Sequence, residues 1–493
     1  MAGRRIGVSA EHEHYKWWAL SCTSLGMLLA TVNSGTLVIA LPNLEQALGV
    51  DLLTLVWVIL AYMIASTVLV LTFGRLSDVF GRKQAYVAGF LVFSLASLGA
   101  GFASGGTDLI VWRIVQGIGA ALIFANASAL VTDAFPREQL GVAMGTNVMV
   151  AAVGLVLGPV LGGVLVEISW HWVFWFNVPF GLLGTAWAAM VLRELVRPEG
   201  ERSFDWWGTV TFVIGLTGLT YGISRGGLVG WGETLTLAPV AVGVVLLVAF
   251  VVVERRTREP MLDLSLFADR GFSSATAASF IAGLSRFSLT FVFVLYFQGA
   301  LGDDPILAGV KLAPLAVGML ISSPLAGRYA DRHGARMLAA LGLVVSAVGM
   351  AGMTMLDTDT AYALTAFWLF VTGVGSGMFN SPNTAAMMGS VPAHRRGIAA
   401  GTRMMLQNTG SVLSIAVLLA IVTSAVPKET LLSIFSGLTT GVSDATLAPF
   451  IHNLHTAMWV LAATSLVGAL VSLLRPGRGA GLQPELAVAD AHR

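Results

Sequence analysis

Fourteen mostly apolar stretches follow one another along the chain: 17–41, 53–73, 84–103, 108–132, 141–165, 171–192, 206–222, 235–253, 272–298, 306–326, 335–356, 361–386, 398–423 and 455–474. A helix needs roughly 20 apolar residues to cross the hydrocarbon of a bilayer. In that medium backbone N–H and C=O groups must pair within the protein, which leaves helices or closed barrels. These stretches are too long for barrel strands, so the expected fold is an all-α polytopic membrane protein. Only 11% of residues are charged, against about 25% in soluble domains, so the surface must face lipid. The 56 glycines let membrane helices approach closely.

The basic residues orient the spans. With the N-terminus in the cytoplasm, cytoplasmic segments hold 22 of the 28 lysines and arginines, counting Arg336 at the cytoplasmic margin of its span. External loops hold two, Arg225 and Lys428, and four fall inside spans: Arg113, Arg286, Lys311 and Arg403. This positive-inside bias puts both termini inside, which requires an even number of spans. The expected localisation is a bacterial cytoplasmic membrane. The start reads as a first span rather than a cleaved signal. A net charge of +1 gives no basic face for nucleic acid. The one cysteine, Cys22, allows no internal disulfide and no zinc site.

The chain also repeats itself. Gly74-Arg75-Leu76-Ser77-Asp78 through Lys83 matches Gly327-Arg328-Tyr329-Ala330-Asp331 through Gly334, so that Arg75, Asp78 and Gly81 correspond to Arg328, Asp331 and Gly334 at an offset of 253. Gly117, Gly119, Pro136, Gly141 and Gly145 correspond to Gly373, Gly375, Pro392, Gly397 and Gly401 at an offset of 256. Two six-span bundles, 17–192 and 272–474, are therefore expected to be related by an axis along the membrane normal and to face each other across a midplane cleft. Two extra spans, 206–222 and 235–253, lie in the connecting segment 193–271. Its Arg-rich stretches, 193–205 and 254–271, should lie along the inner leaflet. Residues 1–16 and 475–493 read as cytoplasmic tails, the latter disordered.

These motifs resemble those of the major facilitator superfamily, and more narrowly its fourteen-span drug:proton antiporter family of multidrug exporters. The resemblance covers roughly 15–475. The loop from Gly74 to Lys83 matches the signature between spans two and three. Gly154-Leu155-Val156-Leu157-Gly158-Pro159-Val160-Leu161-Gly162-Gly163 matches the span-five signature associated with antiporters. Arg113-Ile114-Val115-Gln116-Gly117 matches the span-four signature, whose arginine the resemblance links to proton coupling. Trp57 and Tyr62 match a span-two pair, and Trp170-His171-Trp172 with Asn177-Val178-Pro179 matches the entry to span six. The resemblance implies the major facilitator fold and alternating access. The sequence departs from the pattern at Asn33, where an aspartate is expected, at Val38 for an asparagine, at Ala125 for a proline, and at Gln407 for a common arginine.

The residues themselves suggest roles. Glycines at 74 and 81 permit a tight turn, and Asp78, Asp331, Arg75 and Arg82 at helix ends can form latches that hold one conformation. Gly154, Gly158 and Gly162 lie on one helical face beside Pro159, a surface for close contact with another span, expected to belong to the other bundle. Arg286 lies 14 residues into its span, near the bilayer centre, where a charge usually faces a cavity. Arg113, Lys311 and Arg403 lie near span ends, from which long side chains can snorkel. Candidate cavity residues are Asn33, Trp57, Tyr62, Gln116, Asn126, Asn147, Arg286, Gln298, Phe379, Asn380 and Gln407.

None of the 27 acidic residues sits in the middle of a span. A buried site for a lipophilic cation wants a carboxylate, so the composition favours neutral or anionic amphiphiles over the family's usual cations. Asn33 cannot change protonation. The proton-coupling candidates are Asp51, Asp133 and Glu167, with Asp78, acting with Arg113. His171 is the histidine placed best for a test. The leading reading is a proton-coupled secondary exporter of amphiphilic drugs, lipids or secondary metabolites. A uniporter or specific carrier of a neutral or anionic metabolite is the alternative, followed by a non-transporting sensor on the same scaffold. No H-E-x-x-H, phosphate loop or nucleophile–base pairing suggests an enzyme. No cofactor or metal is expected, and the bundle can work as a monomer.

Overall fold

The computed structural model describes residues 14–136, 139–194, 205–257, 260, 262–391, 396–423 and 444–475. Most of both expected tails lies outside the described residues, as do Pro392 and Lys428. Each of the fourteen expected spans falls on helix. By length and composition, eleven described helices are apolar enough to cross a membrane.

The first half comprises α1 (Tyr15–Leu48), α2 (Leu52–Phe80), α3 (Arg82–Ala100), α4 (Gly106–Ala134), α5 (Leu140–Ile168), the single turn α6 (Trp172–Trp175) and α7 (Asn177–Val191). A hairpin follows, α8 (Trp206–Val229) and α9 (Thr234–Arg256). The second half comprises α10 (Arg270–Val294), α11 (Pro305–Lys311), α12 (Ala313–His333), α13 (Ala335–Gly352), α14 (Tyr362–Gly389), α15 (Arg396–Thr423) and α16 (Asp444–Leu473). Side-chain caps start several of them. Asp51 accepts from the Thr54 N–H at 3.2 Å, Asp269 from Phe272 at 2.7 Å, and Asp304 from Leu307 at 2.8 Å ahead of Pro305 in the first turn. These contacts satisfy N–H groups that a helix start leaves open. Beyond α10 the chain runs as a π-helical segment over Leu295–Ala300. Such segments widen the helix and re-aim its side chains.

The halves share one packing plan. In the first, α1 packs on α5, α2 on α4, and α3 on α4 and α7. In the second, α10 packs on α15, α12 on α14, and α13 on α14 and α16. The correspondence holds at atomic level. A Cβ added at Gly119 would lie 2.5 Å from the Phe93 nitrogen and 2.9 Å from the Gly89 oxygen. At Gly375 it would lie 2.4 Å from the Ser346 nitrogen and 2.5 Å from the Gly342 oxygen. These partners obey the 253 and 256 offsets seen in the sequence. Gly99 against Trp112 and Gly352 against Trp368 are a further pair at the same offsets. Such contacts exclude any side chain at these glycines, which fixes the helix crossings. The two signature turns match as well: Gly81 has φ +102° and Gly334 φ +91°, values that favour glycine.

Hairpin α8–α9 is not a third bundle. Helix α8 packs on α9, α2 and α15, covering a seam between the halves. The outer face of α9 is bare, with Val245 64% and Val248 61% exposed, as a lipid-facing surface should be. The last helix begins at Asp444, earlier than expected, and the described residues continue past its end to Arg475.

Candidate functional site

A cavity of about 210 Å³ opens between the halves at mid-helix depth. Ser34, Val38 and Ile59 line it from the first half; Gly283, Thr290, Met319, Ser376, Asn380, Gln407 and Ser411 line it from the second. Among the described residues the lining carries hydroxyls and carboxamides but no charged side chain. Of the cavity candidates read from the sequence, Asn380 and Gln407 are on this wall. Arg286 lies along α10 between Gly283 and Thr290. Its side chain is outside the described part, as are those of Arg75, Asp78 and Asp331.

Four other candidates belong to a buried network instead. The Arg113 guanidinium donates through Nε to the Val58 carbonyl at 2.9 Å and through Nη1 to Gln116 Oε1. It also stacks 4.3 Å from the centre of the Tyr62 ring. Gln116 Nε2 donates to Asn33 Oδ1 at 3.1 Å and to Ser97 Oγ at 2.7 Å. Asn177 Nδ2 reaches the same Asn33 oxygen at 3.2 Å. Five helices of the first half thus meet around one arginine, and the described partners include no carboxylate. Arg113 is 1% exposed and does not snorkel. A buried cation without a counter-ion is costly; here a carbonyl, a carboxamide and a ring face offset that cost. At the offset of 253, Asn33 corresponds to Arg286, and at 256 Gln116 corresponds to Thr372, a cavity residue. The first half closes this level with a network, whereas the second half opens it to the cavity.

Most remaining candidates pack helices together. Asn147 accepts from Ser24 Oγ at 2.8 Å and joins α5 to α1. Asn126 donates to the Leu122 carbonyl of its own helix at 2.8 Å. Phe379 is 1% exposed within an apolar cluster that includes Ala282 and Leu343, so it is core rather than cavity wall. Trp57 meets Tyr221 of the hairpin, ring centres 5.9 Å apart.

The two ends of the molecule differ. At the end bearing the α1–α2 turn, the Gly49 end, the halves touch backbone to backbone. A Cβ at Gly163 would lie 2.6 Å from the Pro305 oxygen, and one at Gly309 would lie 2.5 Å from the Pro159 oxygen. Gln298, in the π segment, donates to the Ile39 carbonyl of α1 at 3.1 Å. Pro159 therefore faces the other half, but the glycine row beside it does not. Gly154 meets Thr31, Gly158 meets Gly35, and Gly162 meets Thr36. This corrects the expected contact: the row at intervals of four faces α1 of its own bundle, and the adjacent row, 159 and 163, crosses between halves.

At the opposite, Gly81 end, Arg82 pairs with Asp133 at 2.6 Å. Glu194 accepts from the Arg82 and Lys83 N–H groups at 2.9 and 3.0 Å, capping α3. Gly74 is less confined: a Cβ added there would meet only the Ala125 Cβ, at 3.9 Å. Asp51 caps α2, and Glu167 is exposed at the end of α5. Lys311 is tied to Asp303 at 2.5 Å, and Arg403 turns inward to Gln407 at 2.6 Å. Arg475, read from the sequence as the start of a disordered tail, is buried and donates to Asn383 Oδ1. Asn383 in turn donates to the Ala275 carbonyl and Ser279 Oγ of α10. Burial brings the Arg475 guanidinium down to about 10, which leaves it cationic at neutral pH. No periodicity or motif marks a role for that residue.

The comparisons agree with this architecture. The sequence profile of the Major Facilitator Superfamily matches residues 23–415 and 275–489. The chain is 28% identical to a tetracenomycin C resistance and export protein of Streptomyces glaucescens, over 83% of this chain and 76% of that one. It is 29% identical to multidrug resistance protein 3 of Bacillus subtilis, over 80% and 77%. The crystal structure of a D-xylose-proton symporter superimposes with a TM-score of 0.65 over 95% of this chain and 100% of that one, at 14% identity, a likeness of fold. The chain is thus a multi-pass membrane transporter, not an enzyme, and belongs to the major facilitator superfamily.

Proposed function

We propose that this chain is a proton-coupled secondary exporter that carries small amphiphilic molecules by alternating access. The observation that carries the reading is the cavity lined by both halves beside the close approach of Gly163 to Pro305 and of Gly309 to Pro159 at the Gly49 end. At about 210 Å³ it is smaller than the roughly 300–1,000 Å³ of drug-sized sites, as expected of a partly closed state. Rocking the halves would break the Gly163–Pro305 and Gln298–Ile39 contacts and open the Gly49 end. The names of the export and multidrug-resistance relatives support efflux.

The basic bias supports a cytoplasmic Gly81 end with both termini inside, and on this reading the chain has fourteen spans and works as a monomer in the cytoplasmic membrane. On this reading the turns around Asp78 and Asp331 act as latches at that end. Of the acidic candidates, Asp51 caps a helix and Asp133 pairs with Arg82. Glu167 is exposed one turn beyond Gly163 on α5, so we assign it the coupling proton. The test is flux in proteoliposomes under an imposed pH gradient. Wild type should concentrate substrate against its gradient, and Glu167→Gln should retain only downhill exchange. Flux indifferent to the pH gradient in wild type would make the protein a uniporter.

A further inference from the structure

We propose that the cavity selects anionic over cationic amphiphiles, and that Arg403, presented through Gln407, is the group that makes the choice. This deepens the transport reading above and rests on it. Arg403, Gln407 and Ser411 follow one another at intervals of four and so share a face of α15; the last two line the cavity. Arg403 lies one turn toward the Gly81 end. Its Nη1 donates to Gln407 Oε1 at 2.6 Å, which holds the guanidinium against the carboxamide on the cavity wall.

Gln407 is fixed in place. A Cβ at Gly283 would lie 2.2 Å from its backbone oxygen, and one at Gly410 would lie 2.3 Å from the Phe280 oxygen. Helices α10 and α15 therefore cross in backbone contact here. With its oxygen already accepting from Arg403, the carboxamide presents both N–H donors of its NH₂ to a ligand.

A guanidinium has five N–H donors and no acceptor. The Arg403 Nε is buried with no acceptor among the described residues, and no described carboxylate lies within ion-pair distance. Arg403 stands behind the lining rather than in it, so a ligand carboxylate, sulfonate or phosphate bonded to the Gln407 NH₂ would be stabilised by the uncompensated guanidinium next to that carboxamide. A lipophilic cation would bring a second positive charge into a poorly solvated space, with no described acid to offset its lost hydration. Val38, Ile59, Phe291, Leu315 and Met319 supply the apolar wall for the ligand body.

The test uses three naphthalene compounds of matched size: naphthylacetate, naphthylethanol and naphthylmethyl-trimethylammonium. Their binding to the purified full-length protein is measured by calorimetry. Wild type should bind the anion at least about tenfold more tightly than the cation. Arg403→Gln should weaken the anion about tenfold, leave the neutral compound within about twofold, and so erase the preference. Arg403→Lys should keep part of it. Unchanged binding of the neutral compound shows that the variant's cavity is intact. Equal or tighter cation binding by wild type, no binding of any probe, or a preference that survives Arg403→Gln would overturn the proposal. Flux of the neutral compound in proteoliposomes separates the two readings. Flux of the neutral compound together with binding that shows no preference for the anion defeats this inference alone, and absence of flux defeats the transport reading.

Discussion

The Gln298 carboxamide donates to the Ile39 backbone carbonyl at 3.1 Å, joining the π segment after α10 to α1 across the boundary between the halves. This bond should therefore contribute to holding the Gly49 end shut. A net hydrogen bond is worth about 1 kcal/mol, or roughly fivefold in a two-state equilibrium. Gln298→Leu should therefore raise labelling of a cysteine placed at Ala308, in a Cys22→Ser background, by about fivefold from that face. An unchanged labelling rate would remove Gln298 from the closure.

Neighbouring glycines of α5 should fail in different ways. A Cβ at Gly158 would meet the Gly35 Cα at 2.8 Å inside the first bundle. Gly158→Ala should cost about 1–3 kcal/mol by overpacking and lower the melting temperature in detergent. Gly163 faces the other half, so Gly163→Ala should leave the melting temperature nearly unchanged and shift the protein toward its open form. Equal destabilisation by both would mean that the two rows do not separate packing from closure.

Arg113 needs two differently directed donors and a flat cation over Tyr62. Lysine supplies charge but not this geometry. Arg113→Lys should therefore destabilise the protein nearly as much as Arg113→Met, by about 1–3 kcal/mol, the cost of leaving buried acceptors unpaired. Thermal unfolding of both variants decides this. A lysine variant as stable as wild type would show that charge alone suffices.

Gly81 is constrained twice, by φ +102° and by Glu194, whose Oε2 would lie 2.8 Å from an added Cβ. Gly81→Ala should cost about 1–3 kcal/mol, and Glu194→Gln about 1 kcal/mol for the weakened cap. If the glycine acts through the carboxylate as well as through φ, the double variant should lose less than the sum. Strict additivity in a double-mutant cycle would place the whole effect in the backbone angle.

The fold was legible because its causes are local and repeated. Lipid forces each span to declare itself by length, and duplicated glycines at offsets of 253 and 256 return as equivalent crossings, Gly119 on Phe93 and Gly375 on Ser346. The site was less so. Gln116 and Gln407 are both mid-span amides, yet one is locked into the Arg113 network and the other lines the cavity. Which face of a helix meets lipid, a neighbour or a cleft depends on tertiary packing. The glycine row 154, 158 and 162 shows the same limit: close contact was readable from spacing, its partner α1 was not. Arg475 ends in a buried bond to Asn383 that no periodicity announces.

The central claim is that the halves rock about the cavity, and a reversible lock between Gly163 and Ile306 tests it most directly. Gly163→Cys and Ile306→Cys, in a Cys22→Ser background, would be oxidised in proteoliposomes and complete cross-linking verified by gel shift, with the same variant before oxidation, which already carries the opening effect of a Cβ at 163, as the reference. Transport should stop while the disulfide holds and return on reduction. Transport at the uncross-linked rate with the lock complete would contradict the account.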